Sequence, residues 1–131
     1  MARIILVDDD PVIGHLAASA LFDAGHAVGW IADGRDALGV MQALAPHLAI
    51  LDCAMPGMSG VELLRMMRAD GALCRVPVLM LTSRRSQADE ALALSAGADD
   101  YLRKPADLDQ LVGRVDALLF QEGAARSIRT A

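Results

Sequence analysis

Short apolar runs alternate along the chain with longer segments in which apolar residues recur at the three- to four-residue spacing of a helix. In chain order the runs are IILV at 4 to 7, AVGWI at 27 to 31, LAIL at 48 to 51, VPVLML at 76 to 81 and the weaker YL at 101 to 102. Short apolar runs bounded by polar residues predict buried strands, and the longer periodic segments predict helices. The pattern therefore predicts five strands, each followed by a helix.

The predicted helices have recognisable start and stop signals. Asp10 is a good helix cap, and Pro11 suits the first turn, where its missing N–H costs little. The residues SGVE at 59 to 62 predict a capping box for the third helix, and residues 107 to 110 predict a similar start for the fifth. The first helix is predicted to bury an apolar face of Val12, Ile13, Leu16, Ala17, Ala20 and Leu21. The predicted helix ends are Gly25, Pro46, Gly71 and Gly97.

Strands that are apolar throughout and alternate with helices are typical of a parallel sheet covered on both faces, because right-handed crossovers put helices on either side. The predicted fold class is therefore an α/β doubly wound domain with a five-stranded parallel sheet. With 131 residues, of which 54% are hydrophobic, the chain has the size and composition of one well-packed domain. We expect this domain to occupy residues 1–120. Residues 121–131, QEGAARSIRTA, lack an apolar period and are predicted to be a C-terminal tail or the start of a linker.

Charge and hydropathy argue against several classes of function. The formal net charge is -5 and the arginines are scattered, so we expect no basic surface that binds a nucleic-acid backbone directly. No apolar run approaches the roughly 20 residues that span a bilayer, and the N-terminal residues lack the long apolar region of a signal peptide. We therefore expect a cytoplasmic protein without a membrane partner.

The cysteines, histidines and tryptophan give no indication of a redox or metal site. Cys53 and Cys74 are 21 residues apart, with no CxxC pair and no histidine at zinc-finger spacing, so we expect buried, unreactive thiols. The three histidines fall in separate segments and are predicted to be structural. Trp30 lies on the second predicted strand, at the far side of the sheet, and is predicted to pack in the core.

Charged and hydroxyl side chains follow four of the five predicted strands. Asp8 and Asp9 end the first strand, Asp52 the third, Thr82 the fourth and Lys104 the fifth. In open α/β sheets the ligand site lies beyond the carboxyl ends of the strands, near the point where the strand order switches. We therefore expect these five side chains to meet at one edge of the sheet.

Three carboxylates at this edge require nearby positive charge. Two carboxylates about 4 Å apart repel by roughly 4 kcal/mol at an effective dielectric constant near 20. The three aspartates sum to -3, which a divalent cation together with Lys104 would neutralise, and an all-oxygen ligand set suits Mg²⁺. Lys104 is the only lysine in a chain with eleven arginines, which indicates a requirement for a compact ammonium at this position. The alternative is a surface lysine placed there by chance.

These residues resemble the receiver domain of bacterial two-component response regulators. The resemblance covers residues 3 to about 120, and it depends on four motifs in the correct order and spacing. The motifs are the acidic pair Asp8 and Asp9, DCAMPGMSG at 52 to 60, LTS at 81 to 83, and GADDYLRKP at 97 to 105. The resemblance implies a flavodoxin-like (βα)5 fold with strand order 2-1-3-4-5.

The resemblance also implies a phosphoacceptor and a metal site. Asp52 would accept the phosphoryl group, and Asp9 and Asp52 would ligate Mg²⁺ directly. Asp8 would act mainly through a bound water, and the backbone carbonyl of Ala54 would complete the protein ligands.

A switch is implied in the same way. Thr82 and Lys104 would contact the phosphoryl group, and Tyr101 would be the aromatic switch residue. The surface formed by helix four, strand five and helix five would then change when the domain is phosphorylated.

The implied partners are a histidine kinase or a histidine phosphotransfer protein, and a downstream effector protein or domain. A phosphorylation-dependent homodimer is a further implied partner. The domain would be a signalling module and not an enzyme in its own right, since its only chemistry would promote its own phosphorylation and the hydrolysis of its aspartyl phosphate.

Two other classes of function are weighed against this one. A haloacid-dehalogenase-like phosphatase also uses an aspartyl phosphate and Mg²⁺, but there the nucleophile ends the first strand in a DxD motif and the chain is usually larger. A binding module that is never phosphorylated would be expected to lack one of the acids, the threonine or the lysine, and this chain has them all.

Overall fold

The structure of the protein is a computed structural model, which describes residues 2–82, 87–104 and 106–130. The strands are β1 (Arg3–Val7), β2 (Ala27–Ile31), β3 (Leu48–Asp52), β4 (Val78–Thr82) and β5 (Asp100–Arg103). The helices are α1 (Pro11–Asp23), α2 (Gly34–Leu44), α3 (Gly60–Ala69), α4 (Gln87–Ser95) and α5 (Leu108–Thr130). Ser83 and Pro105, two positions of the motifs quoted above, lie outside the described residues.

The five strands form one parallel sheet in the order β2-β1-β3-β4-β5. This arrangement confirms the predicted α/β doubly wound class and the flavodoxin-like strand order. The register pairs Val7 with Leu51 and Asp52 with Leu81, so the carboxyl ends of the three central strands lie side by side. Any side chain that follows these strands therefore emerges at one edge.

Helices cover both faces of the sheet and enclose two separate cores. On one face α1 and α5 pack against the sheet through Ala17, Leu21, Leu111, Val115 and Leu118. On the other face α2, α3 and α4 contribute Ala37, Met41, Leu63, Leu64, Met67 and Ala93. The residues of β3 and β4 are buried throughout, because helices cover them on both sides.

Three predicted helix caps are confirmed. The carboxylate of Asp10 accepts hydrogen bonds from the backbone N–H groups of Val12 and Ile13, and α1 begins at Pro11. The hydroxyl of Ser59 accepts from the N–H of Glu62 at 3.2 Å. Asp107 accepts from the N–H groups of residues 109 and 110, at 2.8 and 3.1 Å. Caps depend on a few adjacent residues, which is why the sequence alone predicted them.

The predicted apolar face of α1 was too wide. Val12 is 65% exposed and Leu16 is 50% exposed, although both were assigned to the buried face. The helix is buried instead through Gly14, Ala17 and Leu21. Positions 12 and 16 lie on the side opposite this stripe at 3.6 residues per turn, so a helix packed on its small residues leaves them in solvent.

The cysteine prediction was wrong for one residue. Cys74 is exposed in the loop between α3 and β4, while Cys53 is half-buried. Two of the histidines have the structural role that was expected. His26 and His47 accept hydrogen bonds through Nδ1 from backbone N–H groups of residues 2 and 3, at 3.3 and 2.9 Å.

Helix α5 continues to Thr130, through most of the segment predicted to be a tail or linker. The backbone from residue 121 to residue 130 is therefore helical. Residues 121–130 contain Gln, Glu, Ala and Arg, which favour a helix without any apolar period. The division into a domain at 1–120 and a following segment at 121–131 remains a prediction.

Candidate functional site

Three aspartates lie together at the carboxyl edge of the sheet. Asp8 and Asp9 follow β1, and Asp52 ends β3, the neighbour of β1. One carboxylate oxygen from each lies within 4.8 Å of the others. Asp8 is fully buried and Asp52 is 4% exposed, whereas Asp9 is exposed. The fold therefore brings these three carboxylates together, as the sequence predicted.

Lys104 reaches the same point from the end of β5. Its Nζ lies 2.7 Å from Oδ2 of Asp8 and 3.3 Å from Oδ1 of Asp52. Its backbone N–H donates to the carbonyl of Thr82 at 2.7 Å, which ties the start of the β5–α5 loop to the end of β4. The side chain of the only lysine is thus mostly buried against two carboxylates, and it is not a chance surface residue.

The charges of this cluster shift the pKa of Asp52. Burial raises the pKa from 3.8 to about 6, the Lys104 ammonium opposes the rise, and the charge of Asp8 adds to it. Burial lowers the pKa of Lys104, but its contacts with Asp8 and Asp52 outweigh that effect and raise it overall. One ammonium in a cluster of three carboxylates leaves an excess of negative charge, so the donor set and its charge fit a divalent cation that prefers oxygen ligands.

The loop after β3 is held close to Asp52. The backbone N–H of Ala54 donates to Oδ1 of Asp52 at 3.3 Å. Gly57 has φ of 82°, a conformation that favours glycine, so the loop turns sharply there. A Cβ at Gly60 would overlap the carbonyl oxygen of Asp52, so only glycine lets α3 start against the end of β3.

Thr82 and Tyr101 lie on adjacent strands and point to the same face of the sheet. The register pairs Met80 with Tyr101 and Thr82 with Arg103, so the two residues are diagonal neighbours. Thr82 is fully buried, and Tyr101 is 8% exposed in the core that α2, α3 and α4 cover. Burial raises the pKa of Tyr101, and the nearby Thr82 side chain opposes this rise. Tyr101 therefore already lies inward in this conformation.

Trp30 contacts the backbone of Asp8, which the sequence analysis did not predict. Trp30 was assigned to core packing, but it is 38% exposed on the edge strand β2. Its indole Nε1–H donates to the backbone carbonyl of Asp8 at 2.9 Å. A signal was present in Gly14, a glycine inside the predicted first helix, because an interior helical glycine often marks a close approach.

No helix in the described part of the chain has both the length and the apolar composition needed to cross a membrane.

Comparison with known proteins identifies the family. The family model for the response regulator receiver domain matches residues 4–116. The DNA-binding response regulator MtrA of Mycolicibacterium smegmatis is 41% identical over 117 residues, which are 89% of this chain and 50% of MtrA. The transcriptional regulatory protein TcrA of Mycobacterium tuberculosis is 40% identical over 116 residues, 88% of this chain and 45% of TcrA. The chain thus spans about half the length of these relatives.

Solved structures agree with this assignment. The chemotaxis protein CheY4 of Vibrio cholerae superimposes with a TM-score of 0.86 at 32% identity, covering 90% of this chain and 98% of CheY4. NtrX of Brucella abortus superimposes with a TM-score of 0.91 at 28% identity, covering 98% of this chain and 29% of NtrX. The chain belongs to the response regulator receiver domain family of two-component signalling systems.

Proposed function

We propose that this domain accepts a phosphoryl group on Asp52, with Mg²⁺ bound, from a histidine kinase or a histidine phosphotransfer protein. The observation that carries the proposal is the cluster of three carboxylates within 4.8 Å, with the Lys104 ammonium against two of them. Asp52 is the member of this cluster that ends β3, separate in sequence from the acidic pair. A pKa of about 6 leaves its carboxylate mostly ionised, and therefore nucleophilic, at neutral pH.

The residues have separate proposed roles in the transfer. A carboxylate oxygen of Asp52 bonds to phosphorus while the bond between phosphorus and the donor's histidine nitrogen breaks. Asp9, Asp52 and the carbonyl of Ala54 would hold Mg²⁺ directly, and Asp8 would act through a bound water. Bound Mg²⁺ supplies charge neutralisation for the phosphoryl oxygens. Lys104 and Thr82 would contact the transferred group, and the same set would promote hydrolysis of the aspartyl phosphate.

The proposed partners of the domain are a kinase or phosphotransfer protein and an effector. Receiver domains interact with histidine kinases and effector domains, and we propose that this one acts on an effector through the surface of α4, β5 and α5. A phosphorylation-dependent homodimer would use that surface as well. MtrA is named a DNA-binding regulator, whereas this acidic domain is proposed not to contact nucleic acid directly. The cytoplasmic location expected from the sequence remains a prediction.

Acetyl phosphate tests the phosphoacceptor chemistry without a cognate kinase. We expect the purified protein to gain the mass of one phosphoryl group when Mg²⁺ is present, because the acidic cluster needs a cation before an anionic donor can approach. Intact-mass spectrometry measures the labelled fraction. An excess of chelator in a parallel reaction should reduce that fraction to background. Labelling that is equally fast with and without the chelator would contradict a metal-dependent site.

The proposed switch depends on Thr82 and Tyr101. We propose that the phosphoryl group attracts the Thr82 hydroxyl and thereby favours the inward position that Tyr101 occupies in this structure. Phosphorylation shifts a conformational equilibrium only if it interacts differently with the two states. The change Thr82→Ala removes the hydroxyl, so it should leave phosphorylation possible but weaken the response of Tyr101 and α4.

NMR spectra of wild type and Thr82→Ala, each with and without beryllofluoride and Mg²⁺, measure this response. In the wild type we expect shifts at Tyr101 and along α4 in addition to those at Asp52. In the variant the shifts at Asp52 should remain and the distant ones should shrink. Equal shifts at Tyr101 and α4 in both proteins would refute the coupling and would leave the phosphoacceptor proposal intact.

A further inference from the structure

Both main-chain groups of Asp8 are bound by β2. The backbone N–H of Asp8 donates to the carbonyl of Ile31 at 3.1 Å. The carbonyl of Asp8 accepts from the indole Nε1–H of Trp30 at 2.9 Å. Strand β2 ends at Ile31, and α2 follows after the cap at Asp33, so the ladder of backbone hydrogen bonds stops at this point. The indole N–H of Trp30 adds one further hydrogen bond to this ladder, with a side chain as the donor instead of the backbone.

This hydrogen bond satisfies a group that has little access to water. Asp8 is fully buried, and a buried carbonyl without a donor destabilises the conformation that buries it. The bond also has an orienting effect, because the peptide group between Asp8 and Asp9 is planar and rigid. A hydrogen bond that fixes the carbonyl of Asp8 therefore also fixes the orientation of this peptide group, and with it the backbone position of Asp9.

Gly14 is the residue of α1 against which the indole of Trp30 packs. A Cβ at Gly14 would overlap Cε2 and Nε1 of Trp30, so the ring lies directly against the backbone of the helix. Glycine is among the least favourable residues inside a helix, and Gly14 is one of the three buried positions of α1. Its absence of a side chain is what lets the indole reach the carbonyl of Asp8.

We infer that Trp30 is a positioning residue for the proposed Mg²⁺ site: its indole N–H holds the carbonyl of Asp8 and thereby orients the carboxylates of Asp8 and Asp9 toward the ion. The inference rests on the proposed function, because it requires that these carboxylates bind the metal. Residues that hold metal ligands in place set metal affinity, and their removal commonly weakens binding by an order of magnitude or more.

The change Trp30→Phe tests the inference, since phenylalanine keeps an aromatic ring and removes the N–H. We expect the Mg²⁺ concentration at half-saturation to rise roughly tenfold. Amide shifts of residues 8 to 10 in NMR titrations with Mg²⁺ measure it without any phosphoryl transfer. The extent of labelling by acetyl phosphate at saturating Mg²⁺ should stay at the wild-type level, because the ligands themselves are intact.

Val28→Ala is the matched control. Val28 lies two residues before Trp30 on the same strand and packs against the core that α1 and α5 cover, so its truncation removes apolar contacts but leaves the bond to Asp8. Its half-saturation should match the wild type. A Trp30→Phe half-saturation within twofold of wild type, or an equal loss in Val28→Ala, would overturn the inference.

A second variant tests the same contact from the helix. Gly14→Ala should displace the indole and weaken Mg²⁺ binding as Trp30→Phe does, even though alanine favours the helix. In a Trp30→Val background the same change should have no further effect. If Gly14→Ala weakens Mg²⁺ binding equally in the wild-type and Trp30→Val backgrounds, its effect on the metal site does not act through the indole.

The unaltered protein provides an independent measurement. Trp30 is the only tryptophan, so its indole N–H gives one resolved NMR signal. That signal should move during the Mg²⁺ titration with the same midpoint as the amides of residues 8 to 10. If those amides move and the indole does not, the positioning role is wrong and the proposed metal site stands. If neither the indole signal nor the amides of residues 8 to 10 move, both the positioning role of Trp30 and the proposed metal site are wrong.

Discussion

Asp52→Asn should gain no phosphoryl group from acetyl phosphate or from a phosphorylated kinase, while it folds as the wild type does. The amide keeps the shape of the side chain but lacks the nucleophilic oxygen that must bond to phosphorus. Intact-mass spectrometry in the presence of Mg²⁺ measures the outcome. Asp10→Asn is the matched control: Asp10 follows the acidic pair directly, and asparagine caps a helix as well as aspartate does, so labelling should persist. Wild-type labelling of the Asp52 variant would refute the assignment of the phosphoacceptor.

The same variant should change how stability depends on pH. The pKa of Asp52 is raised from 3.8 to about 6, so between these values the folded protein holds a proton that the unfolded chain has released. The free energy of unfolding therefore falls as pH rises through this interval, by at most about 3 kcal/mol in metal-free protein. Asparagine does not titrate, so Asp52→Asn should lack this contribution.

Urea unfolding from pH 4 to pH 7 with chelator present measures the effect. The difference in unfolding free energy, wild type minus variant, isolates Asp52 from the other titrating groups. We expect this difference to become less favourable to the wild type as pH rises. A difference that stays constant across the interval would show that the folded protein does not raise the pKa of Asp52.

Lys104→Met should destabilise the metal-free protein by about 3 kcal/mol. The change leaves the carboxylates of Asp8 and Asp52 buried without the ammonium that lies 2.7 and 3.3 Å from them, and breaking a buried ion pair from one side is strongly unfavourable. Urea unfolding in chelator measures the loss. Arg103→Met is the matched control, since Arg103 is an exposed neighbour 3.7 Å from Glu90 and such pairs contribute less than about 1 kcal/mol.

Mg²⁺ should restore part of the stability that Lys104→Met loses. A ligand that binds only the folded state stabilises it by mass action, and the added positive charge replaces some of what the lysine supplied. Lys104→Arg keeps the charge, so it should stay close to wild-type stability, yet it should be phosphorylated more slowly because a planar guanidinium cannot take the place of a compact ammonium. Wild-type stability of Lys104→Met in chelator would contradict the role of Lys104 as counter-ion.

Local features of the sequence predicted the elements and their order. The apolar runs set the strands to within a few residues, and the caps at Asp10, Ser59 and Asp107 depend on neighbours no more than three positions away. The site was predictable for a related reason: in a parallel sheet every strand delivers its last residues to the same edge. Charged and hydroxyl residues at the ends of four strands therefore had to meet.

The sequence was misleading where local pattern and tertiary contact disagree. An apolar period in α1 made Val12 and Leu16 equivalent to Leu21, but the buried side of a helix is decided by what it packs against. Here α1 lies on the indole of Trp30, and the helix turns its small residues, Gly14 and Ala17, toward the sheet. In α5 the helix continues beyond the last amphipathic turn, because helix propensity alone favours it there.

The sequence by itself determined the fold class, the strand order through the resemblance, and the set of reactive groups, because each of these follows from residue type and spacing along the chain. Only the tertiary structure decided how those groups are arranged. It buries Asp8 and Asp52, which raises the pKa of Asp52, and it sets the Lys104 ammonium against both carboxylates. It also turns Tyr101 inward and brings Trp30 to the carbonyl of Asp8, 22 residues away in sequence. Burial and distance between remote residues are properties of the packed chain, and no local pattern encodes them.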